Sequence, residues 1–487
     1  MRIISLIVIL FFLGIKPSSA QLLKLYNAFN FQKIISLPEG SYLILGSLLT
    51  EPPNGTTNIL LVNLDNAYKI NWAKIYLASS INKPYDLIKT QNDELLITGY
   101  IQESDLQKDV FLLKLDVQGD IKWGKRYILG EGIKSTALRI FKHNQGYFLL
   151  GNACQSDSCS TFILNLDEVG DVVWGRLYKS SYKINILSDV EPLAGGLYLL
   201  GGRAVSSKGF DFWLMKVNHE GQILWSNLYG GNKTDLLYDI LATPEGYFMV
   251  GETESLTQGP GKALLLSVSE EGLPREGLVF GKEGLTRAQK IFSYQGERII
   301  LGETGTEKRS VFRLILAGSE VLETGLLSTD DHVSLSNALQ TQETLVVGQS
   351  GSQALLASFA ETPEETCSSF SEVLFESQQV SFTKQELPLS IVELQVQGAD
   401  EAFQAQSFAL TERNFCASGE SILGDVSHDA SLSIVDALLV ARCALSLDSR
   451  CQPEEADVNC DQKINILDAL LIARKSLNLA APFGCSK

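Results

Sequence analysis

The sequence predicts a mainly β fold in three parts: a ring of seven four-stranded blades, a β-rich stretch behind it, and a small all-α unit at the end. Three observations predict it. Short apolar runs end on a glycine about every fifty residues, at Gly46, Gly99, Gly151, Gly201, Gly251, Gly302 and Gly348. Trp72, Trp123, Trp174 and Trp225 are spaced by 51, and each is followed four residues later by a tyrosine, Tyr76, Tyr127, Tyr178 and Tyr229. Finally, two stretches rich in Asp, Asn and Ser lie 32 residues apart and run into matching segments, Asp436 to Arg442 and Asp468 to Arg474. Self-similarity at a fixed period sets an architecture before any single strand is read.

The chain opens with Arg2, an apolar stretch from Ile3 to Ile15, and small residues at Ser18 and Ala20. That pattern predicts a signal peptide over residues 1–20 and a secreted protein, extracellular or associated with a cell surface. The apolar core is too short to span a bilayer, and no later window approaches about 18 uninterrupted apolar residues, so no transmembrane segment is expected. With 45% apolar and 20% charged residues, the 487-residue chain reads as folded and too long for one ordinary domain. Its formal charge of −17 repels phosphate backbones and anionic membranes, which excludes nucleic acid as a partner.

The glycine-ended runs are strands, as are the apolar runs after them (Ile59 to Asp65, Val110 to Asp116, Phe162 to Asp167, Phe212 to Asn218) and the tryptophan runs. They are short, aliphatic and aromatic, and broken by turn signals such as Asp116 to Gly119. One more strand ahead of each glycine motif, for example Tyr85 to Lys89, makes four antiparallel strands per unit, the content of a propeller blade. Leu22 to Tyr26 lies fifty residues ahead of Tyr76 and reads as a tryptophan-type strand without its unit, while the last unit, ending near Phe359, lacks that strand. Exchange between the two ends would complete the seventh blade and hide open edges. The run from Phe212 to Gly251, with Gly221, Trp225, Tyr229 and Gly231, resembles the propeller repeats of exported bacterial and archaeal proteins over residues 22 to about 360. The resemblance implies a seven-bladed β-propeller over residues 21–362.

A residue that recurs in every blade serves the blade. The tryptophans are expected to pack between neighbouring blades and each Asp with its Gly to form a hairpin turn. No catalytic residue is assigned. Glycoside hydrolysis needs two positioned carboxylates, and among 57 acidic residues no cue singles out a pair. There is no sialidase box, Gly-x-Ser-x-Gly elbow or His-Glu-x-x-His. The run Leu115 to Trp123 also resembles the repeat of pyrroloquinoline-quinone dehydrogenases, which would imply a quinone in the central channel, but no insertion carries the polar residues for it.

Eight cysteines in an exported chain read first as disulfides. Their distribution supports local pairs: Cys154 with Cys159, Cys367 with Cys416, Cys443 with Cys451, and Cys460 with Cys485. His143, His219, His332 and His428 lie far apart, so a zinc site is not expected. After Phe359 the repeat stops, and residues 363–421 read as a β-rich spacer or cap clasped by Cys367 and Cys416.

The most specific chemical signal is the duplicated polar stretch. Asp457, Asn459, Asp461, Lys463, Asn465 and Asp468 fall at positions 1, 3, 5, 7, 9 and 12 of a loop, position 7 acting through its carbonyl. Asp425, Ser427, Asp429, Ser431, Ser433 and Asp436 repeat the arrangement with weaker donors at positions 3 and 9. Such spacing wraps oxygen ligands round calcium, which prefers roughly six to eight of them. Each loop runs directly into a helix, has Asp at position 12 and occurs in tandem, and together these features resemble a dockerin module over residues 422–487. The resemblance implies two calcium ions, the twelve ligands just named, and a cohesin-like partner. Ala430 and Gln462 stand where the usual glycine would, which predicts a strained turn. Positions 10 and 11, where a cohesin reads a polar pair, hold Ile434-Val435 and Ile466-Leu467, so the apolar pair docks on a cohesin-like protein or on the protein's own β-domain.

The sequence therefore reads as a secreted, non-catalytic interaction or surface-attachment protein, with a propeller scaffold that offers a face to a carbohydrate or protein ligand. The alternatives are a polysaccharide-degrading O-glycosyl hydrolase of a cellulosome-like assembly and a quinoprotein dehydrogenase.

Overall fold

The computed structural model describes residues 19–479 apart from 29, 39, 50–55, 80, 105–106, 144–145, 258, 282–283, 330, 342, 361–369, 372–374, 381–382, 409, 411, 415–422, 425, 427–431, 446–450, 452–455 and 478. The expected signal peptide lies outside them except for Ser19 and Ala20.

The chain is mainly β, with helices α1 (Ile434–Ala444) and α2 (Ile466–Ser476) near its end. Successive groups of four strands form antiparallel meanders. Unit 1 comprises Asn30–Ser36, Tyr42–Leu49, Thr57–Leu64 and Ile70–Leu77. Units 2 to 6 begin at Ile81, Lys134, Asn185, Asp235 and Leu285 and repeat the plan. Unit 7 takes Val333–Gln340, Thr344–Ser350 and Gln353–Ala360 from its own stretch, and its fourth strand is Ser19–Tyr26, paired with Gln353–Ala360. The first strand of each unit lies against the first strand of the next, and that of unit 7 against that of unit 1. The units therefore close in a ring through their inner strands.

The second and third strands of each unit are continuous apolar runs because both of their faces are covered. Leu43, Ile44 and Leu45 are buried together, as are Ile59 to Val62. Strands that served one buried face would alternate instead. Neighbouring units are bolted by the repeated tyrosine: the hydroxyls of Tyr76, Tyr127, Tyr178 and Tyr229 donate to the carbonyls of Gly119, Gly170, Gly221 and Gly272 at 2.7, 2.8, 2.7 and 2.8 Å. Each of these glycines has a positive φ and sits in the hairpin turn of the following unit. In the first such turn the Asp116 carboxylate accepts from the amides of Gln118 and Asp120 at 3.0 and 2.9 Å.

The described residues of 370–414 are largely strands, and these strands form no body of their own. Phe370–Ser371, Glu376–Val380, Thr383–Glu386, Leu389–Glu393, Gln397–Asp400 and Gln404–Ser407 pair with the fourth strands of units 6, 5, 4, 3, 2 and 1 in turn. Glu412–Asn414 then pairs with Ser19–Tyr26 of unit 7. The segment is a belt running round the ring against the order of the units and adding a fifth strand to each. The physical reason is that the fourth strands are long, regular edges with unpaired main-chain groups, which any extended chain can satisfy.

At the centre, every first strand carries a bulge at the same place. The residues just after it, Lys33, Asp86, Arg139, Asp189, Asp239, Lys290 and Asn337, line a central cavity of about 590 Å³. Lys33 pairs with Asp86 at 3.1 Å, Arg139 with Asp189 at 2.7 Å and Lys290 with Asp239 at 2.5 Å. Asp86 and Asp239 also accept the amides of Ile140 and Ile291 from the next unit at 3.0 and 2.9 Å. Three cations and three carboxylates thus fasten the inner strands.

Candidate calcium centre and docking face

The second loop is built by its own carboxylates. Asp457 accepts from the amides of Asp461 and Gln462 at 3.2 and 2.8 Å, and Asp468 from those of Asn459 and Asn465 at 3.3 and 2.9 Å. The Asn459 and Asn465 amide groups both donate to Asp461, at 3.2 and 3.3 Å. The chain is thereby curled around oxygen atoms. Asp457 and Asp468 are buried. Burial, followed by repulsion from Asp457 and Asp461, holds the Asp468 carboxyl above its ordinary range. A cation in the loop relieves that repulsion. Among the described residues no three His, Cys, Asp or Glu side chains gather as a metal centre; the residue types at these loop positions offer amide oxygens beside carboxylates. An oxygen-only set of this kind suits a hard cation.

Positions 9 and 12 also cap the helices. Ser433 caps α1, accepting from the Val435 amide at 3.1 Å, while Asp436 accepts from the Ser433 amide at 2.8 Å. Asn465 and Asp468 do the same for α2, with Leu467 donating to Asn465 at 2.7 Å. These are capping boxes, made by a serine in one loop and an asparagine in the other. The glycine-free turn is left-handed at Cys460 (φ 58°) and Gln462 (φ 66°), a conformation that costs side-chain-bearing residues free energy. Asp425, Ser427, Asp429, Ser431 and Ala430 lie outside the described residues.

Helices α1 and α2 pack through the buried Ala437, Val440, Ala469 and Ile472, with Val426 and Val458 completing the small core. Cys443 and Cys451 are bonded (Cα–Cα 6.2 Å), as are Cys154 and Cys159 across the hairpin of unit 3 (Cα–Cα 4.1 Å). Cys460 is disulfide-bonded too, and Cys367, Cys416 and Cys485 lie outside the described residues. The outward faces are apolar. Ile434, Val435, Ile466 and Leu467 are 59, 51, 64 and 47% exposed, and one turn on Leu438 and Leu470 are 62 and 53% exposed. Those two leucines were missed in the sequence; they follow Val435 and Leu467 by three residues, the spacing of one helix face.

Residues 423–477 match the family model of the dockerin type I domain. Dockerin domains bind calcium, and the donor set of the second loop fits that ion. No curated protein matches the chain. Among solved structures, Sqt1 from Chaetomium thermophilum is 12% identical, with 70% of this chain and 98% of that one covered at a TM-score of 0.41. Chaetomium thermophilum Sqt1 bound to the N-terminus of ribosomal protein L10 gives 12% identity, 68% and 98% coverage and a TM-score of 0.40. A glycosyl hydrolase from Bacteroides ovatus gives 9% identity, 64% and 93% coverage and a TM-score of 0.28. The architecture rests on the strand pairing, not on these likenesses. No described helix is long and apolar enough to cross a membrane.

Proposed function

We propose that the chain is an exported, non-catalytic docking protein: a seven-bladed β-propeller, girdled by its own belt, tethered through a dockerin domain to a cohesin-bearing scaffold or surface. One calcium ion is held by Asp457, Asn459, Asp461, the Lys463 carbonyl, Asn465 and Asp468. A second is held by the matching residues from Asp425 to Asp436. The observation that carries the reading is the pair of exposed apolar stripes, Ile434-Val435-Leu438 and Ile466-Leu467-Leu470, each directly behind its loop. Exposed apolar residues in such contiguous sets mark interaction surfaces. The non-catalytic half is supported by three of the central carboxylates, Asp86, Asp189 and Asp239, which are tied to cations and act as struts between units.

The test is capture of the full chain on immobilised cohesin modules, in calcium and in chelator. Calcium-dependent capture, reduced about a hundredfold or more in the Leu438→Asp, Leu470→Asp double variant, is the expected result. Retention that ignores both calcium and the stripes would sink the docking reading.

A further inference from the structure

The joint between units 5 and 6 lacks a part that the four earlier joints possess. In those joints the tryptophan ring lies against the turn glycine of the following unit. A Cβ added to Gly119, Gly170, Gly221 or Gly272 would come within 3.0, 2.9, 2.8 and 3.4 Å of Trp72, Trp123, Trp174 and Trp225. In unit 5, Leu266 pairs with Gly277 as Met215 pairs with Ser226 in unit 4, which puts Glu276 at the place of Trp225. Phe280 likewise stands for Tyr229, so the tyrosine bolt is gone as well. The turn glycine of unit 6, Gly318, keeps its positive φ of 60°, yet nothing lies within 4 Å of a Cβ built on it. The space that a tryptophan fills elsewhere is a cavity of about 270 Å³, lined by Phe248, Leu265, Glu276, Arg298, Gly318 and Val380 of the belt.

Two features give that cavity a chemistry. Phe248 stands three residues before Gly251 as Phe148 does before Gly151, and Phe148 meets Trp174 edge-on at 5.5 Å. Unit 5 therefore keeps the aromatic wall and has lost the ring it faces. Arg298 lies over Phe248 with its guanidinium carbon 4.6 Å from the ring centre and donates to the Gly318 carbonyl. Its Nε is buried and has no hydrogen-bond partner among the described residues. A buried donor left unmade is costly, and an acceptor brought by a ligand offsets that cost. Arg275 and Glu276 also line the cavity, both exposed to solvent, so that two guanidiniums face one carboxylate.

We propose that this cavity binds an aromatic acid: a flat bicyclic ring enters where units 1 to 4 keep their own tryptophan, and its carboxylate accepts from Arg298. The volume is just below the roughly 300–1,000 Å³ of drug-sized sites, which sets the ligand at about the size of an indole acid. A charge-assisted bond from the guanidinium supplies the preference for the acid over a neutral ring.

The experiment is calorimetric titration of the full chain with indole-3-propionate, with 3-methylindole as the neutral comparison. The expected result is saturable one-to-one binding of the acid, at least about tenfold tighter than the neutral ring. Glu276→Trp supplies the missing ring from within and is expected to abolish binding without lowering the melting temperature. Arg298→Met keeps an apolar stem on Phe248 and should level the acid and the neutral ring. No saturable binding at millimolar acid, or equal binding by Glu276→Trp, overturns the proposal. Should Glu276→Trp fail to fold, an undiminished acid preference in Arg298→Met overturns it equally.

Discussion

The Tyr127 hydroxyl donates to the Gly170 carbonyl at 2.8 Å, across the boundary between units 2 and 3 and 43 residues along the chain. Both partners are buried, and the glycine's positive φ aims its carbonyl at the preceding unit. Tyr127→Phe leaves the buried Gly170 carbonyl without its donor and should cost about 1–3 kcal/mol, read as a lower denaturant midpoint at unchanged slope. Gly170→Ala should cost more, since φ is +83° and its Cβ would stand 2.9 Å from Trp123. An alanine variant less harmful than the phenylalanine one would mean that the turn, not the tyrosine, tolerates change.

The belt predicts a difference between two shortened chains. One that stops at 421 keeps a fifth strand on each unit, whereas one that stops at 362 exposes the fourth strands as edges. The shorter chain should melt earlier and self-associate with rising concentration, as followed by calorimetry and light scattering. Identical behaviour would make the belt a passenger.

Calcium should raise the melting temperature of the C-terminal domain in proportion to the logarithm of its free concentration. Asp457→Ala should remove the effect of the second loop and lower the helical signal in circular dichroism. Because Asp468 holds its proton more readily than an ordinary aspartate, affinity should weaken as pH falls, ahead of what unperturbed carboxylates would give.

Glu191 lines the central cavity, and burial, then Asp189 and Asp239, push its carboxyl up to about 8. A carboxyl raised in the folded state binds its proton more tightly there than in the unfolded chain. Its contribution to stability is whole below the ordinary glutamate range and is lost as pH climbs through about 8. Glu191→Gln keeps a neutral group throughout, so its melting temperature should gain on the parent between about pH 5 and about pH 9. A gap that stays constant would place the titration elsewhere.

Much of this protein was legible in its sequence because the decisive signals are periodic. The 51-residue spacing of Trp72, Trp123, Trp174 and Trp225 is a count along the chain, and so is the 32-residue offset of the two loops. The belt was not legible. Gln397–Asp400 and Gln404–Ser407 are short, exposed and polar, with no alternation to mark them, and they are extended only because an open edge lies beside them. The central ion pairs were not legible for a related reason: Lys33 and Asp86 are single polar residues 53 apart, and only the closed ring brings them to 3.1 Å.

By itself the sequence determined the repeat and the strand content and marked the oxygen-bearing positions proposed as calcium donors, since each depends on residue type at a local spacing. The tertiary structure decided which surfaces those elements turn outward. Along α1, Ala437, Leu438 and Val440 are equally apolar in the sequence, yet packing against α2 buries the first and third and leaves Leu438 in solvent. Across the ring, the same close packing between units fills four joints with tryptophan and leaves the fifth open at Glu276, because a cavity exists only once two units meet.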